Sequence, residues 1–302
     1  MKTRIEYGAF KLFMLGFAIL PRGWCLGFGE ALGGLAYRLD RHHRRIALAN
    51  LGQAFGAEKG PDELERIARE SFRQFGRTVA DIFKLFHWKR KDVEGLVDIE
   101  GLENLEKAAA EGRGVLVFSA HIGNWELGSA IFSKVGPFSV IARALDNPLL
   151  DRRLLRFREG LGARVIYKQQ AAKKVLQALR DREIVAILVD QNVLRSQAVF
   201  VDFFGRPAGT TPALGAFHLR TGAPLLPAFC WPAPGGRYRM RILPPLVFAP
   251  GEDVGADVLK ITGTCTKIIE TAIREVPASW LWVHDRWRSR PKEEHDHQDQ
   301  TP

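Results

Sequence analysis

The chain has 302 residues, 46% of them hydrophobic, so it can bury a large core, and its composition excludes a mainly disordered or low-complexity protein. A formal net charge of +10 favours an anionic partner, for which the phosphates of nucleic acid or lipid are the obvious candidates. The three cysteines, Cys25, Cys230 and Cys265, are widely spaced and form no CxxC pair. This pattern argues against a disulfide framework or a zinc site and fits a reducing cytosol.

The N-terminal segment, residues 5–39, is mostly apolar. Its interruptions are Lys11, Pro21, Arg22 and Glu30. No stretch reaches the roughly 20 apolar residues of a clean spanning helix, and no signal-peptide cleavage site follows. Two interpretations remain: a helical hairpin packed on the body of the protein, or a segment embedded in one leaflet or marginally spanning. The next residues favour the membrane, because Arg41, Arg44 and Arg45 would lie at headgroup level on an anionic cytoplasmic leaflet.

The rest of the chain alternates between helical and strand patterns. A helix is predicted at 61–86, where apolar residues recur at helical spacing and Pro61 suits the first turn. Predicted strands follow at 115–120, 138–143, 163–167, 184–190, 223–231 and 237–248. The predicted helices among them are 101–111, 125–134, 148–160, 170–181, 211–221 and 254–275. This alternation indicates an α/β fold with a mixed, largely parallel sheet flanked by helices.

Three segments are therefore predicted. Residues 1–40 form a membrane-anchoring or embedded helical segment, 41–291 form the α/β domain, and 292–302 form a disordered polar tail. The two histidines of the tail are expected to be solvated rather than to bind a metal.

The stretch VLVFSAHIGNWELG, residues 115–128, places a histidine and a glutamate directly after an apolar strand. Five positions separate His121 from Glu126, a rotation of about 140° on a helix, so they meet only if His121 lies on the loop before the helix. The Glu126 carboxylate would then accept a hydrogen bond from one imidazole nitrogen and leave the other free to act as a base. Ser119 is a poor candidate nucleophile because the G-x-S-x-G elbow is absent.

Other polar residues lie at strand ends, where ligands gather in such sheets. Arg143 is suited to bind a phosphate or carboxylate with two hydrogen bonds, or else it forms a salt bridge to Asp146 or Asp190. Arg156 and Arg158 are two positions apart on a predicted helix and cannot face the same way, and Arg158 is the one expected in the site.

Asp190 follows an apolar run, where a carboxylate is costly unless it is paired. Two partners are equally consistent with the sequence: an arginine of the site, or backbone donors at a turn. An oxyanion would be stabilised either by backbone N–H groups after His121 or by Asn124.

Several motifs together resemble the glycerolipid and lysophospholipid acyltransferases, and HIGNWE is similar to the branch that adds late acyl chains to lipid A. The resemblance covers most of the chain. It extends to ARALDNPLLDRRLLRFRE, ILVDQN, VFVDFFGRPAGTTPALGAFHLRTGAPLLP and WLWVHDRWRSRP. None of these motifs specifies one acceptor.

The resemblance implies transfer of a fatty acyl group from a thioester, usually on acyl carrier protein, to a hydroxyl of a lipid A precursor. His121 would be the general base and Glu126 its orienting partner, with Arg143, Arg158, Asp190 and Asn124 binding substrate. This chemistry requires no cofactor and no metal. The implied location is the cytoplasmic face of the inner membrane, on an anionic lipid surface.

Two alternatives stay open: acylation of another glycolipid, such as a mannosylated phosphatidylinositol, and a non-catalytic lipid-binding protein. A nucleic-acid partner is not expected, because zinc-finger spacing, RNP-like aromatic motifs and helix-turn-helix signals are lacking.

The aromatic residues near the C-terminus have less specific interpretations. Phe200, Phe203 and Phe204 belong to a core or loop, or else line an acyl channel. The tryptophans and arginines between 280 and 290 suit either a membrane interface or a cap on the core. His284 is interpreted as structural.

Overall fold

The computed structural model describes residues 2–249 and 251–292. The predicted polar tail lies, from residue 293 onward, outside the described residues.

A central seven-stranded sheet and a separate hairpin contain the strands of the described chain. They are β1 (Val97–Glu100), β2 (Val115–Ser119), β3 (Phe138–Ala142), β4 (Ala163–Tyr167), β5 (Ile184–Leu188), β6 (Val199–Phe203), β7 (Arg206–Thr210), β8 (Leu225–Pro232) and β9 (Tyr238–Ile242). The order in the large sheet is β1-β9-β8-β2-β5-β3-β4, and its neighbours are parallel except β8 and β9. β6 and β7 form the antiparallel hairpin. The prediction of a mixed, largely parallel sheet is confirmed, although β1 and the hairpin were not predicted.

Helices cover both faces of this sheet. They are α1 (Lys2–Ile19), α2 (Arg22–Leu39), α3 (Arg41–Phe55), α4 (Pro61–Leu85), α5 (Arg90–Glu94), α6 (Leu102–Ala110), α7 (Gly128–Phe132), α8 (Pro148–Gly160), α9 (Ala171–Arg180), α10 (Ala213–Thr221) and α11 (Val254–Glu275). Of the seven helices predicted with bounds, six lie within two residues of those bounds, and α1, α2, α3 and α5 had no predicted bounds. The predicted helix 125–134 is instead a short 3-10 turn, Trp125–Leu127, followed by α7.

The core is divided into two layers by the sheet. In β2, Leu116 and Phe118 belong to one buried cluster, whereas Val115 and Val117 belong to the other. Neighbouring side chains of a strand point to opposite faces, so a strand buried on both sides is apolar at every position. This is why β2 is an uninterrupted apolar run.

The N-terminal helices α1 and α2 form a hairpin that packs on α4, as the first of the two interpretations predicts. Gly29 and Gly33 of α2 lie against Gly76 and Phe72 of α4 so closely that a Cβ on Gly33 would be 2.2 Å from the Phe72 carbonyl oxygen. Among the described helices, none has the length and apolar character required to cross a bilayer.

One side of α2 nevertheless remains apolar and exposed. This exposed stripe consists of Trp24, Phe28, Leu32, Leu35 and Leu39. Their spacing of three or four residues places them on one face of the helix. Contact of this face with a membrane is not tested by the fold and stays a prediction.

Gly33→Ala is expected to lower the free energy of unfolding by about 1–3 kcal/mol, because the added methyl group forces α2 away from α4. Denaturant unfolding measures this change. Gly27→Ala is the matched control in the same helix, since a Cβ there meets nothing within 4 Å. It should leave stability unchanged or raise it by about 0.5–1 kcal/mol. Equal effects of the two substitutions would contradict close packing of α2 on α4.

Candidate active site

His121 and Asp190 meet at the ends of two neighbouring strands. β2 and β5 are parallel, with Ser119 opposite Leu188, so the loops that follow them begin side by side. His121 Nδ1 lies 2.8 Å from Asp190 Oδ1, and the His121 backbone N–H donates to Asp190 Oδ2 at 2.8 Å. The Trp280 indole N–H donates to the same Oδ2 at 2.8 Å. Asp190 therefore holds both the ring and the backbone of His121.

The Asp190 carboxylate stays ionised in this environment. Complete burial by itself would raise its pKa, but the nearby His121 and the hydrogen bonds from His121 and Trp280 outweigh burial and lower the pKa to about 2. The sequence left two partners open for Asp190, backbone donors or an arginine. The structure shows a backbone donor, the His121 N–H, and in the described chain no arginine forms a hydrogen bond with Asp190. Sequence reasoning missed both the His121 ring as its main partner and the role of Trp280.

The predicted hydrogen bond between Glu126 and the imidazole is wrong, because Glu126 is bound by Arg158. Arg158 Nε donates to Glu126 Oε2 at 2.9 Å and Nη2 donates to Oε1 at 2.5 Å. Both side chains are largely buried. His121 does lie on the loop before the helix, as the predicted contact required. The 3-10 turn nevertheless points the Glu126 carboxylate towards Arg158 of α8 rather than back towards His121.

The three arginines considered from the sequence lie in different places. Arg158 lies in the cavity wall, whereas Arg156 of the same helix is exposed, as the two-residue spacing requires. Arg143 is at the rim of the cavity, with 77% of its side chain exposed, 3.2 Å from Asp146. Its structural alternative, a salt bridge to Asp146, is therefore present, and its binding role stays a prediction.

The prediction that Asn124 contacts substrate is contradicted by the structure, because its side chain is completely buried outside the cavity lining. Its Nδ2 lies 3.4 Å from Asp81 Oδ2 and 3.5 Å from the Tyr238 hydroxyl. Asp81 in turn binds Arg22 at the start of α2 through two hydrogen bonds of 2.6 and 2.7 Å. Asn124 thus ties the loop after His121 to α4 and α2.

Two backbone N–H groups of the loop after His121 already form hydrogen bonds within the protein. Ile122 N–H donates to the Ala120 carbonyl and Gly123 N–H donates to the Ser279 carbonyl, both at 2.8 Å. These two groups are therefore not free to stabilise an oxyanion. A side-chain amide lies near the ring, because Gln191 Nε2 is 3.5 Å from His121 Nε2.

Tyr238→Phe should destabilise the fold by about 1.5–3 kcal/mol, because the hydroxyl donates to the buried Asp81 carboxylate at 2.7 Å. Burial, together with the charge of Asp81, raises the pKa of Tyr238 well above its usual range, so the hydroxyl stays protonated and able to donate. Tyr167→Phe removes a similar hydrogen bond, to Asp151 at 2.6 Å, from a half-buried site and should cost less. Thermal or denaturant unfolding of both variants compares them, and an equal loss would contradict the buried network.

His121 opens into a cavity of about 940 Å³. Glu126 and Arg158 are part of its lining, and Trp125 packs edge-on to the His121 ring, with centroids 4.8 Å apart. One long wall is apolar and comes from α4 and the residue after it, namely Phe75, Val79, Ile82, Phe83 and Phe86. The periodicity of 61–86 predicted this helix but not which of its faces would line the cavity.

The aromatic residues near the C-terminus are core residues. Phe203 and Phe204 are buried beside the tryptophans rather than lining the cavity. Trp280, Trp282 and Trp287 are at most 4% exposed, which supports the core-cap interpretation over a membrane interface. His284 lies in the cavity wall and its Nε2 accepts a hydrogen bond from the Asn192 backbone N–H. In the described chain, no group of three or more potential ligand side chains is placed to hold a metal ion.

A carboxylate-bound histidine at the edge of an α/β sheet, facing a cavity with an apolar wall, is suited to general-base chemistry on a substrate with an apolar part. The bacterial lipid A biosynthesis acyltransferase family matches residues 5–289, and the chain belongs to this family. It is therefore an acyltransferase.

Curated relatives agree with this class. The chain is 27% identical to a lipid A biosynthesis palmitoleoyltransferase of Escherichia coli, over 87% of this chain and 84% of the relative. It is 28% identical to a phosphatidylinositol mannoside acyltransferase of Mycolicibacterium smegmatis, over 75% and 73%. It is 26% identical to a lipid A biosynthesis lauroyltransferase of Escherichia coli, over 90% and 88%.

Proposed function

We propose that this protein transfers a fatty acyl chain from acyl carrier protein to a hydroxyl of a lipid A precursor, at the cytoplasmic face of the inner membrane. The observation that carries the proposal is His121, held by Asp190 and facing a cavity with an apolar wall. Membership of the family and the similarity to lipid A acyltransferases support the acceptor class.

His121 acts as the general base. Its Nδ1–H donates to the ionised Asp190, which leaves Nε2 on the cavity side to take the proton of the acceptor hydroxyl. The acceptor oxygen attacks the thioester carbonyl, and the tetrahedral intermediate collapses with loss of the thiolate. The thiolate then receives from the imidazolium the proton that came from the acceptor hydroxyl, so neither a covalent acyl-enzyme nor a net proton change is required. The Gln191 amide, near Nε2, is the proposed donor to the oxyanion.

The two arginines of the cavity have different proposed roles. Arg158 is neutralised by Glu126, so the pair is proposed to shape the cavity rather than to bind an anionic group. Arg143 is exposed at the rim, and its guanidinium is free to exchange Asp146 for a phosphate of the acceptor. An arginine at the rim would hold the phosphorylated sugar while its hydroxyl reaches His121.

Membrane contact is proposed for the exposed stripe of α2. Apolar side chains on one face of a helix gain by entering the boundary between headgroups and acyl chains, and basic residues beside them bind anionic lipid. Arg41, Arg44 and Arg45 of α3 follow directly in the chain. This arrangement would present the cavity to an acceptor that resides in the bilayer.

Mass spectrometry of lipid A from cells that lack their own late acyltransferase tests the function. The wild-type chain should add the mass of one acyl chain, and His121→Ala, expressed at the same level, should add none. An equal mass increase with the variant would remove His121 from the mechanism. No increase with either would reject the lipid A acceptor.

A second acceptor class has a specific observation in its favour. Identity to the phosphatidylinositol mannoside acyltransferase is as high as identity to the lipid A enzymes. The purified protein should therefore be assayed with acyl carrier protein thioester and each of the two glycolipids. Acylation of the mannosylated lipid alone would replace the lipid A proposal.

The donor proposal is tested separately with acyl carrier protein and coenzyme A thioesters of the same acyl chain. The net charge of +10 should attract the acidic carrier protein, so salt is expected to raise the Michaelis constant for that donor more than for the coenzyme A thioester. A lower constant for coenzyme A at every salt concentration would contradict the carrier protein as donor.

A further inference from the structure

A second apolar cavity lies beside the catalytic one, between the N-terminal hairpin and α4. This second groove has a volume of about 430 Å³. Its apolar lining includes Phe17, Phe28, Leu32, Phe75, Val79 and Phe83. We propose that it holds an acyl chain that the acceptor lipid already carries, an inference that rests on the proposed function.

The second groove borders the catalytic cavity. Phe75, Val79 and Phe83 line both spaces. Their spacing of four residues places them in one row along α4, so the row forms a shared apolar border. Phe75 is 40% exposed at this border, although it is a large aromatic residue. An acyl chain in the groove therefore lies against the same row of side chains that borders the cavity containing His121.

The direction in which the groove opens identifies the occupant. Phe28 and Leu32 line the groove and also belong to the exposed stripe of α2, where they are 45% and 43% exposed. The groove therefore opens on the face that is proposed to contact lipid. A glycolipid acceptor brings its acyl chains from the bilayer, whereas the thioester donor arrives from water on a carrier protein. The groove thus opens towards the side from which the chains of the acceptor arrive.

The catalytic cavity then has room for the donor chain. Its apolar wall on α4 extends beyond the shared row to Ile82 and Phe86, and Leu150 and Leu154 of α8 line it too. Two apolar spaces that share the α4 row would hold one chain from each substrate, with the thioester and the hydroxyl brought together at His121.

Leu32→Asp and Leu35→Asp form a matched pair of variants. Both place a carboxylate on the exposed stripe of α2, at residues that are 43% and 48% exposed, but only Leu32 lines the groove. The assay uses detergent-solubilised acceptor and the same acyl carrier protein donor throughout. One acceptor is a lipid A precursor with long acyl chains, and the other is the same phosphorylated disaccharide with butanoyl chains.

Leu32→Asp is expected to raise the Michaelis constant for the long-chain acceptor at least tenfold more than for the butanoyl acceptor. Leu35→Asp should change the two constants by the same factor. Equal selectivity changes in the two variants would overturn the groove, because the exposed stripe alone would then explain them. A raised Michaelis constant for the donor in Leu32→Asp would assign the groove to the donor chain and also overturn the proposal.

Two further comparisons distinguish failure of the proposed function from failure of the groove proposal. If the wild-type protein acylates neither acceptor, the proposed function fails, whereas acylation of both with no selectivity change in Leu32→Asp rejects only the groove. Leu32→Gln introduces a polar side chain without charge, and circular dichroism of each variant checks that the helices are intact. The glutamine variant should show the same loss of long-chain preference, and retention of that preference in a folded Leu32→Gln protein would contradict the groove.

Discussion

Asp190→Asn is expected to lower turnover about 10²–10⁴-fold, with Michaelis constants close to those of the wild type. The ionised carboxylate accepts the Nδ1–H of His121 and so leaves Nε2 unprotonated on the side of the cavity. An asparagine amide can instead donate to Nδ1, which favours the tautomer with the proton on Nε2, where the base should be. Steady-state kinetics with purified protein measures the change.

The control for this substitution is Asp202→Asn, which makes the same change at an exposed residue of the β6–β7 hairpin. It should have little effect on turnover. If folded Asp190→Asn protein retained turnover within about threefold of the wild type, a gap of under 1 kcal/mol in barrier height, Asp190 would not be the orienting residue.

The low pKa of Asp190 also predicts an acid-sensitive contribution to stability. The pKa is about 2 in the folded protein and about 3.9 in an unfolded chain. Because the pKa is lower in the folded protein, the carboxylate contributes its full stabilisation at pH values above about 4. This contribution is lost as the pH falls from about 4 to about 2. The contribution is about 2–3 kcal/mol. Unfolding curves at several pH values should therefore show the wild type losing stability relative to Asp190→Asn in this range, and a constant difference would contradict it.

The part of the site that the sequence predicts depends on regular structure. Parallel strands of known direction bring their carboxyl ends to one edge, so His121 and Asp190 were expected to converge before any contact was known. The amphipathic period of α4 likewise predicts a helix within one residue of its observed end. These inferences succeed because the spacing of apolar residues along a short segment is enough to identify a strand or a helix.

The partners within the site depend instead on contacts between distant parts of the chain. Trp280 reaches Asp190 from 90 positions away, and Arg158 reaches Glu126 from 32. Asn124 follows the histidine closely and has a polar amide, so the sequence favoured a role in the cavity, but Asp81 and Tyr238 draw it into the core. No local pattern distinguishes a polar residue that faces substrate from one that completes a buried network.

Glu126→Gln is expected to lower the free energy of unfolding by about 3–5 kcal/mol, because it leaves the Arg158 guanidinium buried without its counter-charge. Arg158→Gln should destabilise the protein by a similar amount for the converse reason. In the double variant, the two amides can bind each other, so its loss should be smaller than the sum of the single losses by about 1–3 kcal/mol. Chemical denaturation of the four proteins completes this double-mutant cycle.

The same four proteins separate two roles for Glu126 in catalysis. If Glu126 acts through Arg158, both single variants and the double variant should lose turnover to a similar extent, because each breaks the same pair. If Glu126 orients His121, as its spacing in the sequence suggested, Glu126→Gln should match the loss in Asp190→Asn while Arg158→Gln stays active. Arg158 holds both carboxylate oxygens of Glu126, and the His121 Nδ1 already donates to Asp190. No ring N–H then remains for Glu126 in the neutral histidine, so the structure favours the first outcome.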